Sequence, residues 1–282
     1  MSNSCAALLT LPPTAGTAPP LLSLRERNRA VGYNLRVDLL IEATHRAEAS
    51  HFWFRGFRRF AGVFLAEAAA GHPRPRILDC GCGTGINFQM LEGFGRSFGF
   101  DLNRLALTFA RQSGHTRIAR ATATHIPFGD ASFDIVTSFD VLYTLPGAAE
   151  KAAVAEMHRV LRPGGALVVN VAALDVLFGN HSVLAEEVRR YDKRRLRAVL
   201  ETAGFRLRRL TYTNATLFPV MLAVRTFQRA AGLAPSEKAR REISVPPAAV
   251  NALLSSLLAL EARALRRVNM PFGSSLLCLA EK

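Results

Sequence analysis

Cysteine is scarce in this sequence, with four in 282 residues. Their uneven positions, at Cys5, Cys80, Cys82 and Cys278, predict no disulfide framework. The Cys80-x-Cys82 pair has the form of half a metal site, but no second Cys/His pair stands at zinc spacing, so we predict no metal. A reducing compartment fits this pattern, and we expect the protein in the cytoplasm.

Long apolar runs are also lacking. No stretch reaches the roughly 20 apolar residues of a transmembrane helix, and the segment from Leu217 to Val224 is too short. Residues 1–22 have no basic region before their apolar stretches, which prolines interrupt, so they predict neither a signal peptide nor an anchor. We expect residues 1–22 to be a disordered leader.

Acidic residues are too few to balance the basic ones. The chain has 22 Asp and Glu against 36 Lys and Arg, for a formal net charge of +14. The arginines are spread from Arg25 to Arg267, whereas nucleic-acid binding needs a concentrated basic face, so the spread disfavours a nucleic-acid partner. An anionic substrate, transient contact with a membrane surface and a plain solvated surface all remain open.

What the sequence does contain is an alternation of strand and helix patterns. The segment from Arg76 to Cys80 is a short apolar run ending in glycines, as a buried parallel strand does. Further strands are predicted at Ser97 to Asp101, Arg117 to Ala121, Phe133 to Phe139, Ala166 to Val171, Phe205 to Tyr212 and Ser274 to Ala280. The alternation predicts an α/β fold, a Rossmann-like seven-stranded and mostly parallel sheet with helices on both faces.

Helices are predicted between these strands and at both ends of the core. Those of the core are Asn103 to Ser113, Ala148 to Leu161 and Asp192 to Ala203, and a turn is expected at Arg162 to Gly165. We divide the chain into the leader, an N-terminal helical cap at 23–72, a core at 73–214, a helical lid or insertion at 215–272 and a final strand at 273–282. The lid has predicted helices at Leu217 to Ala231 and Ala249 to Arg267. The apolar face of the second is predicted to hold Val250, Leu253, Leu254, Leu257, Leu258 and Leu265.

A glycine-rich loop, Asp79 to Gly85, lies between the first predicted strand and the next helix. Its glycines let the backbone turn sharply and approach a ligand. A nicotinamide pattern beginning at Gly81 needs a further glycine at the position of Ile86. Asp79 can accept hydrogen bonds from an ammonium group. Asp101, about twenty residues on, can bind ribose hydroxyls or cap the following helix.

Four blocks of the sequence carry a family resemblance. They are Ile77 to Gly85, Gly99 to Asp101, Ile126 to Asp134 and Arg159 to Gly165. In this order and spacing they make the chain resemble the class I S-adenosylmethionine-dependent methyltransferases of type 11, similar to the bacterial quinone-biosynthesis methyltransferases. The resemblance implies S-adenosylmethionine (SAM) as cofactor and methyl transfer as the reaction.

The resemblance also implies which residues contact the cofactor. Those for its methionine and ribose are Asp79, Gly81, Cys82, Gly83, Gly85 and Asp101; those near the adenine are Leu102, Thr124, His125 and Ile126; and Phe139 and Asp140 end the fourth strand. A narrower likeness, to bacterial members, covers His51 to Arg55 and Arg189 to Tyr191. There Trp53 and Arg55 either contact the methionine moiety or pack a helix on the sheet.

One departure from the family affects the acid/base chemistry. The segment Phe139 to Thr144 replaces a frequent Asp-Val-Leu-Glu-His, so the role of that Glu-His pair does not transfer. Candidate bases are His181, Tyr143 and Tyr191, each of which has capping or packing as its alternative.

Three functions remain open from the sequence. The first is methylation of a small hydrophobic or lipid-like acceptor at O, C or N. The second is methylation of RNA or protein, which the basic charge permits but for which no added RNA-binding module is evident. The third is a noncatalytic SAM-binding subunit.

Overall fold

The computed structural model describes residues 37–233 and 243–282; the predicted leader and the start of the predicted cap lie outside them. The described residues form one seven-stranded sheet in the order β3-β2-β1-β4-β5-β7-β6. Its strands are β1 Arg76–Cys80, β2 Arg96–Asp101, β3 Ile118–Arg120, β4 Phe133–Phe139, β5 Leu161–Ala172, β6 Arg206–Thr213 and β7 Ser275–Glu281. Strands β1 to β5 are parallel, and β7 runs antiparallel between β5 and β6. The predicted fold class is confirmed.

Helices cover both faces of this sheet. They are α1 at 37–47, α2 Phe52–Ala68, α3 Phe88–Leu91, α4 Arg104–Gln112, α5 Gly147–Val160, α6 Asn180–Leu184, α7 Lys193–Thr202, α8 Phe218–Ala230 and α9 Ala248–Leu265. Polar caps set their beginnings where the sequence offers them. Asn103 accepts from the backbone of Ala106 at the start of α4, and Asp192 accepts from Arg195 at the start of α7.

The two faces have separate apolar clusters. On one face, α5 and α7 pack on the sheet through residues such as Met157 and Leu200; on the other, α2 and α9 do so through Phe64 and Leu258. The central strands are therefore buried on both sides. Nearly every residue of β1 and β4 is accordingly buried.

Strand β5 begins earlier than predicted. Leu161 already pairs with Phe133 of β4, and the register shifts before Ala166 pairs with Ile135. Gly164 lies inside this irregular stretch with φ +74°, and its backbone N–H donates to the carbonyl of Lys282. The glycines expected to form a separate turn instead make an irregularity within the strand.

The buried face of α9 also differs from the prediction. Val250 and Leu253 are 47% and 61% exposed. The buried residues are Asn251, Ser255, Leu258, Glu261, Ala262 and Leu265. Hydrogen bonds to other elements explain the rotation: the Asn251 side-chain oxygen accepts from the backbone of Phe52, and the Glu261 carboxylate accepts from Ala215 and Thr216.

By length and composition alone, α9 is apolar enough to cross a membrane. Its polar residues, however, bond to the rest of the fold, and its buried leucines pack against α2. We therefore treat α9 as part of this domain.

Candidate functional site

The glycine-rich loop leaves the end of β1 and is tied to the end of β2. The backbone N–H groups of Gly81 and Cys82 both donate to the carbonyl of Phe100, each over 2.9 Å. The N–H of Gly83 donates to the carboxylate of Asp101 over 2.9 Å. The loop and the second strand thus form one rigid unit.

The glycines of this loop differ in the space around them. Gly81, Gly83 and Gly85 all have positive φ, of +77°, +55° and +82°. A Cβ on Gly81 would meet Val141, and one on Gly85 would meet His115 at 2.7 Å. At Gly83 no atom lies within 4 Å of the Cβ position. Gly83 therefore presents bare backbone to open space, where a ligand can approach.

Asp101 fixes the loop, and its carboxylate can still accept hydrogen bonds from a ligand. One carboxylate oxygen accepts from Gly83, and the other accepts from the backbone of Asn103 over 2.8 Å. The N-cap of α4 is Asn103, so Asn103 has the capping role that was considered for Asp101. Burial raises the pKa of Asp101. Each oxygen retains a lone pair that can accept from a hydroxyl group.

Asp79 is buried beneath the loop. It is 1% exposed, and its Oδ1 accepts from the hydroxyl of Thr137 on β4 over 2.7 Å. Burial raises its pKa to about 7, although the Thr137 hydrogen bond acts in the opposite direction. A cationic group bound nearby would favour the ionised form, as the prediction of an ammonium partner requires.

A part of the site that sequence reasoning missed comes from α1 and the turn after it. Glu48 is 4% exposed, and its carboxylate accepts from the hydroxyl of Thr84 in the loop over 2.7 Å. The ring of His45 stacks on Phe109 of α4 at 4.0 Å, and Asn103 donates to Asp38 over 2.8 Å. These residues lie against the loop and the start of α4. The sequence signals only a helix there, with no motif that indicates its position.

The residues expected near the adenine lie at one edge of the sheet. Strands β2 and β3 pair side by side up to Asp101 and Arg120, so Leu102 and the segment 122–126 both follow parallel strand ends. Leu102 is 61% exposed. The backbone of Ile126 is fixed by a hydrogen bond to the carboxylate of Glu156 over 2.8 Å.

A cavity of about 470 Å³ contains residues from the carboxyl ends of β4 and β5. Its apolar walls include Phe52, Trp53, Phe57, Val220, Met221 and Leu254. Its polar residues include Asp140, Asn170, Asn214 and Ser274. Val141, which follows Asp140, packs on Gly81, so the cavity and the glycine loop are neighbours. This is where parallel α/β sheets bind their ligands.

Asp140 has an unusual conformation at the end of β4. Its φ is +61°, a region that non-glycine residues rarely adopt, and such residues cluster at functional sites. The Asp140 N–H donates to the carbonyl of Asn170 over 3.0 Å, and the Asn170 amide donates to its carboxylate over 2.8 Å. The side chain is exposed within the cavity but surrounded by protein, and this desolvation raises its pKa to about 7.

Three residues that line the cavity each have a buried side-chain atom without a hydrogen-bond partner in the described structure. These atoms are Asn170 Oδ1, Asn214 Oδ1 and Ser274 Oγ. Buried polar groups are normally paired, so unpaired ones require an explanation. A ligand with hydrogen-bond donors would satisfy the two amide oxygens.

The comparisons with known proteins agree with this geometry. A family model described as a methyltransferase domain matches residues 78–169, from β1 to β5. The ubiquinone/menaquinone biosynthesis C-methyltransferase UbiE of Shewanella pealeana is 29% identical over 199 residues, which cover 57% of this chain and 77% of that protein. The chain is a SAM-dependent methyltransferase whose residues 78–169 match the methyltransferase-domain family. The family expectation is thus confirmed.

Other similar proteins broaden the comparison with this methyltransferase. The O-methyltransferase cnsE of Penicillium expansum is 29% identical over 175 residues, covering 57% of this chain and 61% of that protein. A SAM-dependent methyltransferase of Thermotoga maritima, named as a possible histamine N-methyltransferase, is 18% identical with a TM-score of 0.52, covering 86% and 98% of the two chains. The latter shows the shared fold alone.

SAM is the cofactor of this methyltransferase, and the residues present fit it. The open backbone at Gly83 gives close access, and the oxygens of Asp101 suit a ribose. The buried carboxyl of Asp79 suits a positively charged neighbour.

The three predicted bases occupy different positions in the methyltransferase. His181 and Tyr143 line the cavity, and burial raises the pKa of the Tyr143 hydroxyl. Tyr191 is fully buried outside the described cavity lining, and its hydroxyl donates to Glu150. Its hydroxyl is committed to a structural hydrogen bond, so its position does not fit the role of a base.

The residues of the aromatic segment at the start of α2 have different positions. Trp53 and Phe54 line the cavity, and His51 caps α2 by accepting from the backbone of Trp53. Arg55 is exposed and is not among the residues lining the cavity in the described structure. In the second segment, Arg190 lines the cavity and pairs with Glu187 over 2.8 Å.

Proposed function

We propose that this methyltransferase transfers a methyl group to a small, mostly apolar acceptor bound in the 470 Å³ cavity. The observation that carries the proposal is the adjacency of cavity and cofactor loop, since Asp140 lines the cavity while the next residue packs on Gly81. An acceptor in the cavity would therefore lie beside the cofactor loop.

The composition of the cavity supports an acceptor with two different ends. Phe52, Trp53 and Met221 favour an apolar body. The unpaired oxygens of Asn170 and Asn214 favour a group that donates hydrogen bonds, such as a hydroxyl. Similar proteins are named for C- and O-methylation, so the methylated atom is left open within this class.

The chain's own residues would position the acceptor, exclude water and take up a proton. When bound, SAM supplies a methyl group activated by its positively charged sulfur. The Asp140 carboxylate would accept the proton that the acceptor loses, and a pKa near 7 suits that task. His181 and Tyr143, which also line the cavity, are alternative bases.

The late helices would form a lid over the acceptor. Val220, Met221 and Val224 of α8 and Leu254 of α9 line the cavity, which supports this role.

We also retain a cytoplasmic location and transient contact with a membrane surface as parts of the proposal. The buried free thiols Cys80, Cys82 and Cys278 support a reducing environment.

Calorimetry with SAM and its demethylated product, followed by a labelled-methyl screen, tests this function. The screen would compare apolar quinols, alkylphenols and fatty acids with sugars and RNA. We expect SAM binding and labelling of an apolar hydroxyl compound. Asp101→Asn should weaken SAM binding about 100-fold because charge-assisted hydrogen bonds are lost.

Asp130→Asn serves as the matched control, because Asp130 is an exposed carboxylate that pairs with Arg159. Equal SAM binding by wild type and Asp101→Asn would refute the assigned ribose contact. Labelling of RNA alone would refute the small-molecule acceptor.

A further inference from the structure

Helix α8 presents an apolar stripe to solvent. Val220, Val224 and Phe227 follow one another at intervals of four and three residues, and they are 66%, 47% and 74% exposed. None of the thirteen residues of α8 is buried. A helix that contributes so little to the core while exposing large apolar groups indicates an interaction surface.

Helix α9 exposes leucines and buries polar side chains. Leu253 and Leu260 are 61% and 57% exposed. Asn251, Ser255 and Glu261 face inward and bond to other elements of the fold. Polar side chains thus share the inward face with Leu258 and Leu265, while Leu253 and Leu260 form a second apolar stripe on the outside.

The exposed charges on these two helices are all positive. Helix α8 has no acidic residue but carries Arg225 and Arg229. The one acidic residue of α9, Glu261, is 3% exposed and accepts three hydrogen bonds. Exposed arginines, Arg263, Arg266 and Arg267, stand at its carboxyl end. Apolar stripes combined with arginine and no exposed carboxylate are complementary to an anionic apolar partner.

The cavity reaches this surface. Val220 and Val224 line the cavity and are nevertheless largely exposed, so they mark its mouth. Phe227 follows one turn further along the same stripe. A molecule leaving an apolar phase in contact with α8 would meet the cavity entrance directly.

We propose that α8 and α9 dock this methyltransferase on an anionic lipid bilayer, through a surface comprising Val220, Val224, Phe227, Leu253 and Leu260. A second copy of the chain fits less well, because two bodies of net charge +14 would bring their arginines together. The surface would admit an apolar acceptor from the bilayer to the cavity. Only this last step rests on the proposed function.

Vesicle sedimentation tests the docking surface on the full chain. Vesicles of phosphatidylglycerol mixed with phosphatidylcholine are compared with phosphatidylcholine alone. We expect binding to the anionic vesicles that weakens with added salt, and binding about tenfold weaker for Phe227→Glu. Ala155→Glu makes the same charge change at an exposed position of α5, a remote helix, and should bind as the wild type does.

Each outcome decides the proposal. Absence of wild-type binding, or an equal loss in Phe227→Glu and Ala155→Glu, overturns it, since the latter shows attraction by net charge alone. Sedimentation velocity without vesicles tests for a dimer, and a dimer that Phe227→Glu dissociates also overturns it. SAM calorimetry on the same samples separates the two proposals: SAM binding without vesicle binding removes the docking surface and leaves the methyltransferase function intact.

Discussion

Asn170 donates a hydrogen bond from its side-chain amide to Oδ1 of Asp140 over 2.8 Å, across the ends of β5 and β4. The backbone carbonyl of Asn170 also accepts a hydrogen bond from the backbone N–H of Asp140. These two bonds hold Asp140 at φ +61° with its side chain exposed in the cavity. The fold thus fixes a titratable carboxyl group beside the cofactor loop.

We predict that Asp140→Asn lowers the rate of methyl transfer about 100-fold or more while SAM binding is preserved. Asparagine tolerates the left-handed backbone conformation, so the fold should persist. Wild-type rates should rise with pH through about 7, because the carboxylate form accepts the proton and its pKa is raised to about 7. Single-turnover rates on both sides of pH 7, with the acceptor found by the screen, check this.

Glutamate at the same position provides the control, since Asp140→Glu restores a carboxylate and should recover part of the rate. The base assignment fails if Asp140→Asn keeps both the wild-type rate and the wild-type pH profile.

Replacement of Asp79 is predicted to stabilise the protein and to weaken its SAM binding. Its folded-state pKa is raised to about 7 against a usual value of 3.8, so the unfolded chain ionises first as pH rises. The free energy of unfolding therefore falls between about pH 4 and 7. Asp79→Asn removes this loss and should raise Tm at pH 8 by about 5 °C. It should also weaken SAM binding, because the carboxylate partner for the ammonium is gone.

Thermal unfolding at pH 5 and pH 8, combined with SAM calorimetry, measures both effects. A Tm difference between the variant and wild type that does not grow with pH would contradict the raised pKa. Unchanged SAM affinity would contradict the ammonium contact.

Periodic patterns in the sequence located most elements to within one or two residues, including β1 and β4 at their observed bounds. The exceptions arise from contacts between distant segments. The buried face of α9 depends on Asn251 and Glu261 meeting backbone groups of other elements, which apolar spacing does not reveal. The early start of β5 depends on pairing of Leu161 with β4.

The same difference between local patterns and distant contacts applies to the residues of the candidate site. Asp79, Asp101 and the glycines follow strand ends, so local sequence was enough to propose them. Glu48, Asn214 and Ser274 reach the loop or the cavity from segments far away in sequence. Tyr191 differs from these residues, since it was predicted as a base from its place after a strand end, whereas its hydroxyl donates to buried Glu150.

That buried pair gives a prediction that separates structure from catalysis. Removing the hydroxyl by Tyr191→Phe leaves the Glu150 carboxylate, which is 2% exposed, with Arg189 and Arg195 as its ion-pair partners. We expect the free energy of unfolding to fall by about 1 to 3 kcal/mol, the usual cost of an unsatisfied buried group. Methyl transfer by the folded fraction should be unchanged. Denaturant unfolding and single-turnover rates measure the two, and a large rate loss at full stability would reinstate Tyr191 as a base.

The loop glycines provide the last prediction, because Gly83 and Gly85 share a positive φ but differ in their surroundings. Gly83→Ala adds a methyl group to open space, so it should cost only the backbone strain of about 1 to 2 kcal/mol while obstructing SAM. Gly85→Ala adds the same strain and a contact of 2.7 Å with His115, so it should be the more destabilising. Urea unfolding and SAM calorimetry on the two variants form a matched pair. If Gly83→Ala binds SAM as tightly as the wild type, the cofactor does not approach the backbone at this position.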